Sequence, residues 1–437
     1  MNNYQDSIIR DISRLVKIPS VYQESDSYLF GEAIDHCLDE ALSIMKDLGY
    51  STFKAEDGAY GYAEIGEGET FAVLAHLDVV NARVEDGWEH DPFDPIIKDG
   101  YLCGRGVQDD KGPLMICAHA LKALLDEGYE LKHKVRFILG LDEETLWRSI
   151  NIYCEREAAP MAGFVPDAAF PLTYAEKGLL QIIIKDKNKS PIKYHGGDSF
   201  NAVSSFAKTK RDPKIEAALH TLGYEFELDG DMIHVKGITA HAKNPWKGIS
   251  ANLHLLESMK LAGYESNAIN FACDCLNNKF EFEGFSETDL SDFSGPVSIN
   301  LGKMISEGEE TIFSVDLRLP PSQTKEGILE LLRSKASVYN MEVEEFDYLR
   351  PIHVPLDSEL VKSLLGAYRD VSGDVESQPY LTAGATYARA FDNCVAFGAN
   401  FPGLLTTEHQ PNEKVKIEQM MLSAQIYKEA LKRCVTK

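Results

Sequence analysis

The sequence predicts an α/β protein whose main domain, a mixed or parallel sheet covered by helices, is interrupted by an inserted α+β domain. Three observations predict it. Helix-type and strand-type hydrophobic periods alternate through residues 1–177. The texture turns strand-rich at Gly178, and the first texture returns near Pro351.

Ile8, Ile9, Ile12, Leu15 and Val16 recur at helical spacing and predict a helix over 4–17, followed by a second over 30–48. Residues 51–75 are β-rich. A helix over 113–127, which Pro113 is suited to start, leads to a strand over 134–141 and a helix over 146–157. Beyond Gly178, the segments Leu179–Lys185, Met232–Ile238, Val297–Ile305 and Thr311–Leu317 read as strands, interleaved with helices over 249–262 and 324–338. After Pro351 come a helix over 358–370, a Gly- and Ala-rich segment at 383–390, and a strand over 394–398. A last helix over 415–433 places Val415, Ile417, Met421, Ala424, Tyr427 and Leu431 on one face. The division expected is therefore 1–177 and 351–437 for a split main domain and 178–350 for the insert, each of ordinary domain size.

The 437 residues are too many for one small module, and a composition of 44% hydrophobic and 26% charged residues is that of a folded globular chain. A net charge of −25 repels phosphate backbones and anionic lipid, so nucleic acid is not an expected partner. The densest apolar stretches, Phe71–Ala75, Val135–Leu141 and Leu179–Ile184, are far shorter than a membrane span, and no membrane association is expected. The first residues run directly into the helix pattern without a basic, then apolar leader, which predicts a cytoplasmic protein. The eight cysteines are sparse for this length and are expected to be free thiols.

Polar groups gather at the ends of the apolar strands. Phe71-Ala-Val-Leu-Ala runs into His76-Leu77-Asp78, and Val135–Leu141 runs into Asp142-Glu143-Glu144. Between them lies the glycine-rich loop Gly104-Arg-Gly-Val-Gln-Asp109-Asp110-Lys-Gly-Pro113. Phe164-Val-Pro-Asp167 adds another carboxylate, and Thr406-Thr-Glu-His409-Gln-Pro-Asn-Glu413 adds a second histidine. Singly, each of these is an ordinary strand end or solvated turn. Together they suit a pair of divalent metals sharing a bridging carboxylate, because imidazole nitrogen and carboxylate oxygen both bind Zn²⁺ or Mn²⁺ well. Three adjacent carboxylates at 142–144 repel one another unless a cation compensates, and a metal is the natural cation.

These motifs, with Glu176-Lys-Gly and Asp316-Leu-Arg318, run in order along the chain. In them the sequence resembles the metallopeptidase family that includes aminoacylase, carnosinase, tripeptide aminopeptidase and succinyl-diaminopimelate desuccinylase, and within it the peptidase V-like dipeptidase branch. The resemblance implies a catalytic domain carrying two divalent ions, zinc first, with manganese or cobalt as alternatives. It implies that Asp109 bridges them, that His76 and Asp167 hold one, and that Glu144 and His409 hold the other. Glu143 is then the general base, a role suited to a carboxylate beside a metal but not bound to it. Asp78 is expected to orient the His76 ring, since residues two apart on a strand face one side.

In the insert, the resemblance implies that Asn201 and His241 polarise the scissile carbonyl and that Arg318 anchors the substrate carboxylate. It makes the insert a lid hinged near Lys177–Gly178 and Arg350–Pro351. Because the insert is longer than the dimerising insert of several family members, His241 is expected to serve its own chain in a monomer. Leu146, Ala383 and Ala385 stand where the family more often has glycine, which bears on the substrate rather than the reaction. The function expected is hydrolysis of dipeptides or short peptides with free termini. N-acyl-amino-acid deacylation and metal or peptide binding without turnover are the alternatives.

Overall fold

A computed structural model describes residues 1–404 and 406–437. It divides into two compact units. One comprises Met1–Ala175, His353–Leu381 and Thr386–Lys437; the other comprises Glu176–Ile352 with Thr382–Ala385. The boundaries lie within two residues of those the sequence suggests. The glycine–alanine loop, however, groups with the insert: Ala383 O accepts a hydrogen bond from Arg318 Nη1 at 2.8 Å, and Thr382 O accepts one from Lys177 N at 2.9 Å.

The first unit is built on a mixed sheet. Six of its nine strands run Ser51–Lys54, Gly61–Ile65, Lys134–Gly140, Thr70–His76, Ala162–Val165 and Cys394–Ala396 in spatial order, and the sheet continues through Thr173–Glu176. The first two pairings are antiparallel and the next three parallel. The two central strands are buried at every position but their first, as their unbroken apolar sequences require of strands covered on both faces. Helices Gln5–Val16, Glu32–Asp47, Lys111–Asp126, Glu359–Ser372 and Ile417–Val435 supply the apolar cover. The Lys111–Asp126 helix is buried over almost its whole length, and its Lys111 Nζ donates to Leu15 O at 3.0 Å and Ile18 O at 2.9 Å, so that the buried charge is hydrogen-bonded.

Three element starts differ from expectation for local reasons. The third helix begins at Lys111, leaving Pro113 at its third position, where a missing N–H still costs no helical bond. The helix expected from 146 begins at Arg148, because the buried Asp142 carboxylate accepts from Arg148 N (3.0 Å) and Nε (2.7 Å). Val415 belongs to a strand, Lys414–Lys416, paired with Tyr101–Cys103, and the last helix starts only at Ile417.

His119, which the sequence singles out for nothing, forms a buried pair across two helices: its Nε2 lies 2.9 Å from Asp11 Oδ2. Burial pushes the Asp11 carboxyl up, but His119 and Arg10 outweigh it and hold it below its ordinary value. A carboxyl lowered in the folded state stabilises above its unfolded pKa and loses that contribution as pH falls through the folded value. Asp11→Asn is expected to lower unfolding stability at pH 7 by roughly 1–3 kcal/mol and to flatten the acid limb of a plot of stability against pH. Denaturant titrations from pH 7 down to 3 measure both.

The insert is one antiparallel sheet covered by helices. In spatial order its strands are Phe226–Asp229, Met232–Lys236, Phe206–Lys210, Tyr194–Gly196, Ser298–Ser306, Thr311–Leu319, Gly178–Asp186 and Glu342–Leu349. Leu180, Ile182 and Ile184 alternate with half-buried neighbours and join Phe313, Val315, Leu317 and the helices in one core. Among the described residues Cys37, Cys103, Cys117, Cys273, Cys275 and Cys434 are free thiols, and no helix is long and apolar enough to cross a membrane.

Candidate metal centre

Parallel pairing brings the site together. His76 ends its strand in register with Gly140, so Asp142, Glu143 and Glu144 follow from the neighbouring strand at the same edge. The strand ending at Val165 runs parallel on the other side, and Asp167 lies two residues beyond it. Asp109 comes from the loop before the Lys111–Asp126 helix, and His409 from the turn at 407–410, where its φ of 61° is left-handed.

The Asp109 carboxylate divides between the two histidines. Its Oδ1 lies 2.8 Å from His76 Nε2 and its Oδ2 lies 3.0 Å from His409 Nε2. His409 Nε2 is also 3.0 Å from Glu144 Oε1, and His76 Nε2 is 3.6 Å from Asp167 Oδ2. Ligand atoms of His76, Asp109 and Glu144 fall within 4.8 Å of one another, and so do those of His76, Glu143 and Asp167. Four carboxylates thus face two imidazoles. The donor chemistry, nitrogen and carboxylate oxygen with no sulfur, fits divalent zinc, manganese or cobalt.

The electrostatics express that crowding. Burial works against a charged His76, yet its bonds to Asp109, Asp167 and Asp78 raise it well above its ordinary pKa. His409 is pushed up to about 11 by Asp109 and Glu144. Burial would raise Asp109, but the two histidines hold it below the usual carboxylate range. Asp167 is raised to about 6, by burial first and then by the charge of Asp109. Burial also lifts Glu143 well above its ordinary value.

Asp78 meets the His76 ring chiefly through its backbone. The strand ends at His76, so the two residues do not share a pleated face. The His76 Nδ1 contact is to the main-chain carbonyl of Asp78 at 2.9 Å, while the nearer carboxylate oxygen is 3.5 Å away. That carboxylate instead accepts from the backbone N–H groups of Glu143 (3.1 Å) and Glu144 (3.0 Å). It therefore fixes the turn that presents both glutamates.

Glu413 closes the Thr406–Glu413 motif, in which its sequence neighbours suggest no role for it. It is fully buried. Its Oε1 accepts from the N–H groups of Gly106 (3.0 Å), Gln108 (2.8 Å) and Asp109 (3.3 Å), and its Oε2 pairs with Arg105 Nη1 at 2.6 Å. One carboxylate thus ties down the glycine loop that delivers Asp109. Burial lifts its pKa to about 7 against the pull of Arg105.

The insert holds the remaining candidates. Asn201 and His241 lie on adjoining segments, joined by a bridge between Ala202 and His241 and by Ala242 N donating to Asn201 O at 2.9 Å. His241 Nδ1 accepts from Lys243 N at 3.1 Å, so in the neutral ring the proton sits on Nε2. Desolvation, then the charges of Arg318 and Lys243, lower its pKa to about 4, which keeps the ring neutral at pH 7. Arg318 is buried, with Nε 2.8 Å and Nη2 3.1 Å from the two oxygens of Asp316.

Carboxylates and histidines gathered at parallel strand ends of a mixed α/β unit, in a chain with a second, α+β unit, are the build of a metal-dependent hydrolase. Comparison with known proteins narrows this. The chain belongs to the peptidase family M20/M25/M40, whose model matches residues 72–433, and it is a metallopeptidase. A Staphylococcus aureus strain USA300 protein, provisionally named a dipeptidase, is 30% identical over 463 aligned positions that cover 99% of this chain and 97% of its own. The fold is shared with human carnosine dipeptidase 1 (TM-score 0.60, 16% identity, 99% of this chain and 96% of that one). It is shared also with the Saccharomyces cerevisiae dipeptidase Dug1p (TM-score 0.61, 15% identity, 99% and 96%).

Proposed function

We propose that this metallopeptidase is a cytoplasmic, monomeric dipeptidase, cleaving dipeptides or short peptides with free amino and carboxyl termini with the help of two divalent ions. The division of the Asp109 oxygens between His76 and His409 carries the reading, because a carboxylate with one oxygen toward each of two donor groups is placed to bridge two ions. His76 and Asp167 would hold one ion, and Glu144 and His409 the other. Zinc is the first expectation, with manganese or cobalt as alternatives. When bound, such a pair supplies Lewis acidity that activates water and polarises the scissile carbonyl.

The chain's own groups do the rest. Glu143, in a turn fixed by Asp78, takes the proton of the attacking water and passes it to the leaving amine. Asn201 and the Nε2–H of neutral His241 donate to the developing oxyanion. Arg318 meets the substrate carboxylate, and the insert serves as a lid that excludes water. The staphylococcal relative's name supports the substrate class.

The test is a panel of dipeptides, dipeptide amides and N-acetyl amino acids, assayed after chelation and after return of Zn²⁺, Mn²⁺ or Co²⁺. Turnover of free dipeptides that disappears on chelation and returns with metal is expected. Preferential cleavage of N-acetyl amino acids would replace the reading with deacylation.

A further inference from the structure

Asn201 and His241 sit on chain segments with little secondary structure of their own, yet an oxyanion contact requires donors fixed before the reaction begins. The insert's sheet shows what fixes them. Asn300, 5% exposed at the third position of the Ser298–Ser306 strand, directs its amide at the segment that carries Asn201. Its Nδ2 donates to Phe200 O at 3.1 Å and to Ala202 O at 3.0 Å, the two carbonyls that flank Asn201. Two carbonyl acceptors also settle the orientation of the amide, since only its NH₂ end donates.

The same strand leaves room for that segment. At Gly302 an added Cβ would lie 2.3 Å from Ser199 O and 2.4 Å from Phe200 O, so the segment rests directly on the strand's backbone. Ala202 in turn bridges to His241, and Val203 N donates to Ala240 O at 2.8 Å, so whatever holds 200–202 also holds the His241 segment. Across the sheet Asn300 is in register with Asp316, which grips Arg318 and accepts from Gln181 Nε2 at 3.2 Å. A polar row of Asn300, Asp316 and Gln181 on three adjacent strands therefore underlies both the carbonyl-polarising pair and the carboxylate anchor.

We infer that Asn300 is a positioning residue for peptide-bond cleavage: its amide fixes the Phe200–Ala202 backbone and so aims Asn201 and His241 at the oxyanion. The inference rests on the roles proposed for those two residues. Asn300 itself touches no substrate, so its effect is on the transition state rather than on substrate binding.

The test uses full-length, metal-loaded protein. His241→Ala is measured first; if its kcat matches wild type, the reading of His241 falls and this inference with it. With His241→Ala slow, Asn300→Ala is expected to lower kcat about 10- to 100-fold while KM for a dipeptide and metal content stay near wild type. A phosphinate dipeptide analogue, which mimics the tetrahedral oxyanion, is expected to bind more weakly by the same factor. In the His241→Ala background, Asn300→Ala should cost less than about threefold more, because both act through one contact. Asn300→Asp, which keeps the shape of the side chain but brings no N–H to either carbonyl, should be at least as slow as Asn300→Ala, and it carries the test if Asn300→Ala does not fold. An Asn300 variant with wild-type kcat beside a slow His241→Ala overturns the inference, as does an effect that multiplies in full on His241→Ala.

Discussion

Glu143→Gln is expected to remove about 10²- to 10⁴-fold of kcat while the protein still binds close to two metal ions per chain. The amide keeps the size of the carboxylate and leaves untouched the backbone N–H that Asp78 holds at 3.1 Å, so the turn and its neighbour Glu144 stay in place. What is lost is the basic oxygen. The competing assignment is built into the same geometry, because a ligand atom of Glu143 lies within 4.8 Å of those of His76 and Asp167. A glutamate that ligates rather than accepts a proton gives a different signature: its replacement empties a metal position. Metal analysis beside kcat separates the two. Glu144→Gln supplies the contrast, since Glu144 Oε1 is 3.0 Å from His409 Nε2 and its loss should lower metal content first. If Glu143→Gln loses metal and Glu144→Gln only rate, the two roles are exchanged.

The features legible in the sequence are those whose cause is local or periodic. An apolar run ending in His76-Leu77-Asp78 marks a buried strand and its functional end without reference to any partner. The same reasoning placed Asp142–Glu144 and Asp167, and parallel pairing brings these ends to one edge. The strands of the insert without a sequence signal are short, such as Tyr194–Gly196, or acidic and exposed, such as Glu342–Leu349, and their pairing depends on neighbours far along the chain. Supporting residues were less legible still. Glu413 reaches the Asp109 loop across some three hundred residues, and its carboxylate reads in sequence like any acidic residue after a turn. Asn300 is one of four polar residues in its strand, with Ser298, Lys303 and Ser306, a pattern that equally fits an outward-facing surface position. Asp78 carries a second contact with no local signal: its carboxylate, 3.5 Å from His76 Nδ1, also accepts from the N–H groups of Glu143 and Glu144, some sixty-five residues along the chain.

Arg318→Ala is expected to cut kcat/KM for dipeptides by the equivalent of roughly 2–5 kcal/mol, mostly through KM. The structure refines how the anchor works. A guanidinium has five N–H donors. Asp316 takes the Nε and Nη2 edge and Ala383 O takes one N–H of Nη1, which leaves one N–H on each terminal nitrogen for a substrate carboxylate. Burial raises the Asp316 carboxyl, and Arg318 opposes that rise, so the pair is held together where water cannot replace either partner. Two consequences separate an anchor from a mere structural ion pair. Dipeptide amides, which lack the charge to be anchored, should be poor substrates of the wild type and should lose little more on Arg318→Ala. Arg318→Lys should not rescue dipeptides, because a single ammonium cannot span Asp316, Ala383 O and a carboxylate in the directions a planar fork does. Kinetics on a dipeptide and its amide for the three proteins decide the matter: equal losses on both substrates would show that Arg318 serves the fold of the insert and leaves the substrate carboxylate to another group.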